Sequence, residues 1–416
     1  MKGSVRGQIV LLTGNPLCRN PRVFKEATCL AEAGYEVEVL GAWTGSGVKA
    51  EDQQLLAGKR FQFTPVWNSE SSSLNHRIRR FAARGLAKSS RLAHQAAGVS
   101  IPWQLGAVYG ALAHAAYARR FDLAIAHSEP ALAVAARLQR DGRRVGVDFE
   151  DWFSEDFLAE ARSSRPVALL RAIESTLART SSYLTCTSKA MAREIASDYG
   201  CTEPAVLYNS FPWADRTSID GLLRDRSERR LPSIHWYSQT LGQGRGLEDL
   251  MGALPLVHAE AEVHLRGRPA AGFELWLRAQ IPEGWRDRVF VHGLVPNAEL
   301  LSRIAEHDIG FAGERSDCRS RDLTVTNKIL HYLLAGLAVV ASETTGQREI
   351  AAQASGAVRL YPPGDQAALA GQINRLLGSA DELATARAVA LAAAERTYCW
   401  ERQEARLLEA VQKALR

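Results

Sequence analysis

Short apolar runs alternate with amphipathic stretches along the whole chain. Residues 8–12, 36–40, 123–126 and 145–149 read as buried strands, followed by 183–186 and 205–207. The spacing between them predicts helices over 21–33, 167–180 and 189–199, the first ended by Gly34. A strand, loop, helix and second strand in that order open a parallel α/β sheet. The pattern breaks over 210–232, where prolines and a charged stretch at 224–230 replace periodic apolar positions. It then restarts with strands at 233–237, 263–266, 289–291, 308–311 and 338–341, and closes on an amphipathic helix over 400–415.

The expected fold class is therefore α/β, with two Rossmann-like doubly wound domains. The boundaries read as 1–210 for an N-terminal domain, 211–232 for a linker, 233–399 for a C-terminal domain and 400–416 for a closing helix. In open parallel sheets ligands bind beyond the carboxyl ends of the strands. Two such sheets facing across a cleft are expected to hold a substrate there.

Composition narrows the class. Of 416 residues 46% are hydrophobic and 23% charged, a balance that excludes a disordered chain. The longest apolar run, 333–341, is nine residues, far short of the roughly 20 a membrane helix needs. The opening run at 9–12 is too short for a signal-peptide core. Six cysteines without a CxxC pair suggest neither a zinc site nor a disulfide framework, so a reduced, cytoplasmic protein is expected. A net charge of +5 does not imply nucleic acid, and no nucleic-acid partner is expected. Its distribution is more telling. No acidic residue lies between Glu70 and Asp122, whereas Arg77, Arg79, Arg80, Arg84, Lys88, Arg91, Arg119 and Arg120 do. With Leu74, Ile78 and Phe81 at helical spacing, this is either a solvated basic face or a surface that meets a phosphorylated substrate or, as an amphipathic helix, anionic lipid at the inner face of a membrane.

Candidate chemistry sits at strand ends. Gly14 and Asn15 follow the first strand, where backbone amides at a helix N-terminus can approach a phosphate, although GxGxxG is absent. Arg22 and Lys25 on the next helix read most simply as solvated charges. Gly242, Gly244 and Gly246 surround Arg245 between a strand and a helix; glycines let a backbone close on a diphosphate and Arg adds a fixed bidentate charge. Thr326, Asn327 and Lys328 begin a helix whose free N–H groups suit an anion, with His331 one turn further on, either facing a ligand or structural. His127, Glu150 and Asp151 follow strands of the first half, where a carboxylate orients an acceptor hydroxyl or acts as base, unless it caps the next helix.

These residues together resemble the GT-B glycosyltransferases of the retaining, family 4-like group. The likeness rests on Asn20-Pro-Arg-Val-Phe-Lys-Glu-Ala, Asp122-Leu-Ala-Ile-Ala-His127, Val206-Leu-Tyr-Asn209, Asn327-Lys-Ile-Leu-His-Tyr-Leu-Leu-Ala-Gly-Leu-Ala-Val-Val-Ala-Ser and Tyr398-Cys-Trp400-Glu, in order along nearly the whole chain. The resemblance implies a nucleotide-diphosphate sugar on the C-terminal domain and a glycan or lipid-linked acceptor on the N-terminal one, in cell-surface polysaccharide or glycolipid synthesis, with the helix 400–416 crossing back to the N-terminal domain. It implies Arg245 at the donor phosphate, Thr326 to Lys328 beside the diphosphate, retention of configuration, and no cofactor or metal. The chain departs from the family in three places. Leu323, beside Asp322, and His331 replace the usual pair of glutamates, Gln239 stands for a common arginine, and Glu150 stands for a histidine. A non-catalytic sugar-nucleotide-binding partner protein and a sugar-nucleotide epimerase are the alternatives.

Overall fold

The computed structural model describes residues 6–226 and 231–416; residues 1–5 and the end of the charged stretch, 227–230, lie outside the described residues. The chain forms two compact units. One holds the chain through Thr187, Met191–Leu207 and Glu404–Arg416; the other holds Ser188–Ala190 and Tyr208–Gln403.

The first unit is built on seven parallel strands: β1 (Gln8–Leu12), β2 (Glu36–Trp43), β3 (Gln62–Asn68), β4 (Leu123–Ala126), β5 (Val145–Phe149), β6 (Tyr183–Cys186) and β7 (Ala205–Val206), in the order β3-β2-β1-β4-β5-β6-β7. Ile9 pairs with both Val37 and Leu123, so β1 lies at the centre, and all of β4 and β5 is buried. Strands covered on both faces read as continuous apolar runs, which is why these were legible. The helix Pro21–Glu32 starts where the Asn20 side chain accepts the Val23 N–H and Pro21 takes the first position, which needs no donor.

The second unit repeats the plan with six parallel strands: β8 (Ser233–Leu241), β9 (Glu262–Pro269), β10 (Val289–His292), β11 (Ile309–Ala312), β12 (Ala338–Ser342) and β13 (Val358–Tyr361), in the order β10-β9-β8-β11-β12-β13. Trp236, Leu250, Phe311, Val340 and Tyr361 are among the side chains that fill its core. The helix Asn327–Ala335 ends at Gly336, whose left-handed φ of 78° lets β12 follow directly.

The sequence pattern missed β3 and β13, short strands that keep partly exposed positions. It also stopped β8 and β9 short of their full length, because the register shifts between Tyr237 and Thr240 and the apolar run ends there. The segment expected as a bare connection contains a 3-10 helix, Trp213–Ser218. Leu74–Ala97 forms one helix of 24 residues, and no described helix is long and apolar enough to cross a membrane.

Candidate active site

In each sheet the strand order reverses beside the first strand, between β1 and β4 in one unit and β8 and β11 in the other. Loops leaving such a pair part to opposite faces and open a crevice at the carboxyl ends. The candidate residues gather at these two places.

In the first unit, Gly14 N–H donates to Ser128 Oγ at 2.9 Å, tying the loop after β1 to the loop after β4. A Cβ on Gly14 would lie 2.9 Å from Pro130 Cγ, so the approach needs glycine. Asn15 is exposed. Neither residue stands at a helix N-terminus as expected. A 3-10 turn, Leu17–Arg19, intervenes, held where Asp52 accepts the Leu17 and Cys18 amides, and the α-helix begins only at Pro21.

His127 is buried just past β4, and its Nδ1 lies 3.0 Å from Glu150 Oε1. Glu150, with 20% of its side chain exposed, also accepts both contacts from Asn20 Nδ2, at 2.9 and 3.1 Å. The next turn, Phe153–Glu155, has Trp152 as its N-cap, so Glu150 is occupied by His127 and Asn20 rather than by capping. Asp151 is exposed on the same loop.

Behind His127 lies a network that sequence reasoning did not assemble. Arg22 and Lys25, expected as solvated charges, are 1% and 8% exposed. Arg22 meets Asp148 at 2.8 Å and Glu26 at 3.4 Å and donates to the Leu207 carbonyl at 2.7 Å. Glu26 Oε2 lies 3.5 Å from His127 Nε2. Burial and the adjacent Asp148 push the Glu26 carboxyl well above its usual range. Burial opposes the charge of Asp148 too, but the Arg22 guanidinium overrides it and holds that carboxyl low. Ligand atoms of Glu26, His127 and Asp148 come within 4.8 Å of one another, but Arg22 bonds two of these three groups, and a fixed cation there disfavours a second one. The signal available in the sequence was the i, i+4 spacing of Arg22 and Glu26 beside the apolar positions Val23, Ala27 and Leu30.

In the second unit the turn after β8 packs on the loop after β11. Gly246 has a left-handed φ of 79°, and a Cβ there would sit 2.8 Å from the Gly313 backbone. Gly244 N–H donates to Glu248 Oε1 at 2.6 Å. Arg245 between them is exposed. Glu314, next to Gly313, pairs with Lys328, whose Nζ also lies 5.3 Å from the centre of the Trp236 ring. Gln347 joins the ends of β11 and β12, donating to the Ala312 carbonyl at 3.1 Å and the Ser342 carbonyl at 2.9 Å, and Thr326 Oγ1 donates to its Oε1 at 3.3 Å. Thr326 is the N-cap of the following helix without a side-chain cap bond, and Asn327 is exposed, so the helix presents its amides at this end. Thus Gly246, Thr326 and Lys328 each meet one of Gly313, Gln347 and Glu314. His331 is 6% exposed, stacks on Phe211 with ring centres 3.8 Å apart and contacts Tyr237 Oη at 2.9 Å. Asp322 accepts from Thr345 Oγ1 at 2.6 Å.

Residues 22–211 match the model of Glycosyltransferase Family 4, and residues 235–379 match that of Glycosyl transferases group 1. No curated protein sequence matches the chain. Among solved structures, HepE of Anabaena in complex with UDP-glucose superposes with a TM-score of 0.70 at 17% identity, over 98% of this chain and 100% of that one. Sucrose-phosphate synthase from Thermosynechococcus elongatus follows with a TM-score of 0.67 at 14% identity, over 98% and 99%. The fold and the two matched regions, which together take in most of the chain, make it a member of the GT-B glycosyltransferases.

Proposed function

We propose that this glycosyltransferase moves a sugar from a nucleotide-diphosphate sugar to a glycan or lipid-linked acceptor at an anionic membrane surface, with retention of configuration and without a metal. The turn Gly244-Arg245-Gly246, packed on Gly313 beside the uncapped helix start at Thr326–Asn327, carries this reading. Backbone amides and an exposed arginine at that place are what a diphosphate leaving group requires, and fixed positive charge substitutes for a cation. The relative HepE, bound to UDP-glucose, supports a uridine nucleotide as the first donor to try. Glu150 is the carboxylate read as acting on the acceptor.

The membrane part rests on the helix Leu74–Ala97. Leu74, Ile78, Phe81 and Leu92 are all more than half exposed and fall on one stripe at 100° per residue. Arg77, Arg84, Lys88 and Arg91 form the neighbouring stripe, the pairing of apolar and cationic faces that anionic lipid binds.

A thermal-shift panel of nucleotide diphosphates and their sugars, with magnesium or with EDTA, tests the donor site, since a ligand of the native state raises its apparent stability. A shift with one base that is equal under both conditions is expected. No shift with any nucleotide sinks the donor assignment, and a shift that needs magnesium sinks the metal-free one. The anomeric configuration of the first product, read by NMR, decides retention.

A further inference from the structure

The residues behind Glu150 form a charge balance that has one proton to place. Helix Pro21–Glu32 contributes Arg22 and Glu26, β5 contributes Asp148, the loop after β4 contributes His127, and Tyr183 on β6 faces the same carboxyls. All five are buried. Charge without compensation is not tolerated in such a place. Arg22 is positive and Asp148, at 2.8 Å from it, is its counter-ion. Burial holds the Tyr183 hydroxyl protonated. Two arrangements then leave the buried charge at zero: Glu26 neutral with His127 neutral, or Glu26 ionised with His127 as imidazolium.

The contacts separate them. Glu150 Oε1 at 3.0 Å from His127 Nδ1 is an acceptor, so that nitrogen carries a hydrogen. Glu26 Oε2 stands 3.5 Å from Nε2, longer than a charge-assisted pair adopts, and Arg22 Nε is 3.4 Å from Glu26 but 2.8 Å from Asp148. Both of its neighbouring cations or donors thus keep Glu26 at a distance suited to a neutral group. We propose that Glu26 is a positioning residue that holds the proton in the resting enzyme and so keeps His127 a neutral Nδ1–H donor to Glu150. Burial also favours the neutral Glu26 carboxyl. The consequence lies at the surface of the network. A neutral imidazole orients Glu150 without binding it as tightly as an imidazolium does, which leaves the partly exposed carboxylate able to accept a proton. The inference rests on the reading of Glu150 given above.

The test is the nitrogen spectrum of His127 in the full chain, labelled with 15N-histidine at pH 7.5 and assigned with His127→Gln. The expected pattern is one protonated Nδ1 and one bare Nε2. Glu26→Gln, which is permanently neutral, leaves that pattern in place. Asp148→Asn removes the carboxylate that Arg22 prefers, so Glu26 ionises as the counter-ion of Arg22 and the ring stays neutral, the buried charge again being zero. A ring protonated on both nitrogens in the wild type, or on Nε2 alone, overturns the proposal, as does a Glu26→Gln spectrum that differs from the wild type. Glu150→Gln separates the two readings, because its amide oxygen still accepts from Nδ1. Unchanged turnover in that variant removes Glu150 from the chemistry and leaves the His127 result standing.

Discussion

The two crevices share a strand order and differ in what fills them. At the carboxyl ends of β1 and β4 the space is occupied by the protein's own charges, with Arg22, Glu26, Asp148 and His127 buried and only Glu150 and Asp151 reaching outward. At the carboxyl ends of β8 and β11 backbone approaches backbone, Gly246 on Gly313, and the cation between the glycines points out. A site whose charges are already paired has the chemistry of the proton-handling role proposed for it. One that presents amides and an unburied guanidinium has the chemistry of the anion site proposed for it. The comparison teaches that equivalent positions in repeated folds are free to diverge in chemistry, because the sheet fixes only where a crevice opens.

The contrast makes its strongest claim on stability. Arg22→Met leaves Asp148 buried without its counter-ion and is expected to cost about 3–5 kcal/mol, seen as a lower denaturant midpoint. Arg245→Ala on the open side is expected to leave that midpoint unchanged. A large loss from Arg245 or none from Arg22 would erase the distinction between a filled and an open crevice.

Ligand affinity is expected to run the other way. Arg245→Ala weakens binding of the donor found in the thermal-shift panel by roughly 2–4 kcal/mol, the range for a charge pair that loses its water on binding. Isothermal titration of Arg245→Ala beside Glu150→Gln sharpens the comparison, since the second change should leave donor affinity nearly intact.

The membrane contact proposed above rests on the first unit, and reversing charge in its basic helix should reduce binding by about 1 kcal/mol for each residue. Sedimentation with vesicles rich in phosphatidylserine reads this for Arg77→Glu, Arg84→Glu and Arg91→Glu singly and together. Wild-type protein that stays in the supernatant at low salt ends the membrane proposal.

The response to pH separates the units as well, on the order of 1 kcal/mol for each pKa unit of displacement. Burial lowers His235 and His307 well below the ordinary histidine value and His264 to about 4. The unfolded chain therefore binds more protons than the native one, and these residues withdraw stability from the second unit as pH falls from about 6.5 toward 4. In the first unit burial raises Glu174, which accepts from Tyr199 Oη at 2.8 Å and Ser154 N–H at 3.1 Å, to about 7. That contribution is present below the unfolded carboxyl value and is lost as pH rises through 7. Hydrogen exchange corrected for its intrinsic rate should show peptides of β8 and β9 opening more readily at pH 5 than at pH 7.5, with the loop 152–156 doing the reverse. A common direction in both would show that the units are protonated alike.

The strands β4, β5 and β6 and the helices Val167–Thr180, Lys189–Tyr199 and Trp400–Leu415 were read from the sequence at their observed bounds, as was the glycine turn before Leu247. Those signals are local: a strand buried on both faces must be apolar throughout, and a helix with one buried face must repeat its apolar positions. The placement of Arg22, Glu26 and Asp148 was decided by tertiary structure. They are 126 residues apart at the extreme, and nothing along the chain distinguishes an arginine that will be solvated from one that will meet a carboxylate on β5. For the same reason His331, one turn from the uncapped helix start, turned out to be stacked on Phe211, and Lys328 to be paired with Glu314. Apolar periodicity fixes which face of an element is covered. Which charges meet beneath that cover depends on strand order, and a strand order of this kind forms only when segments far apart in the chain come together.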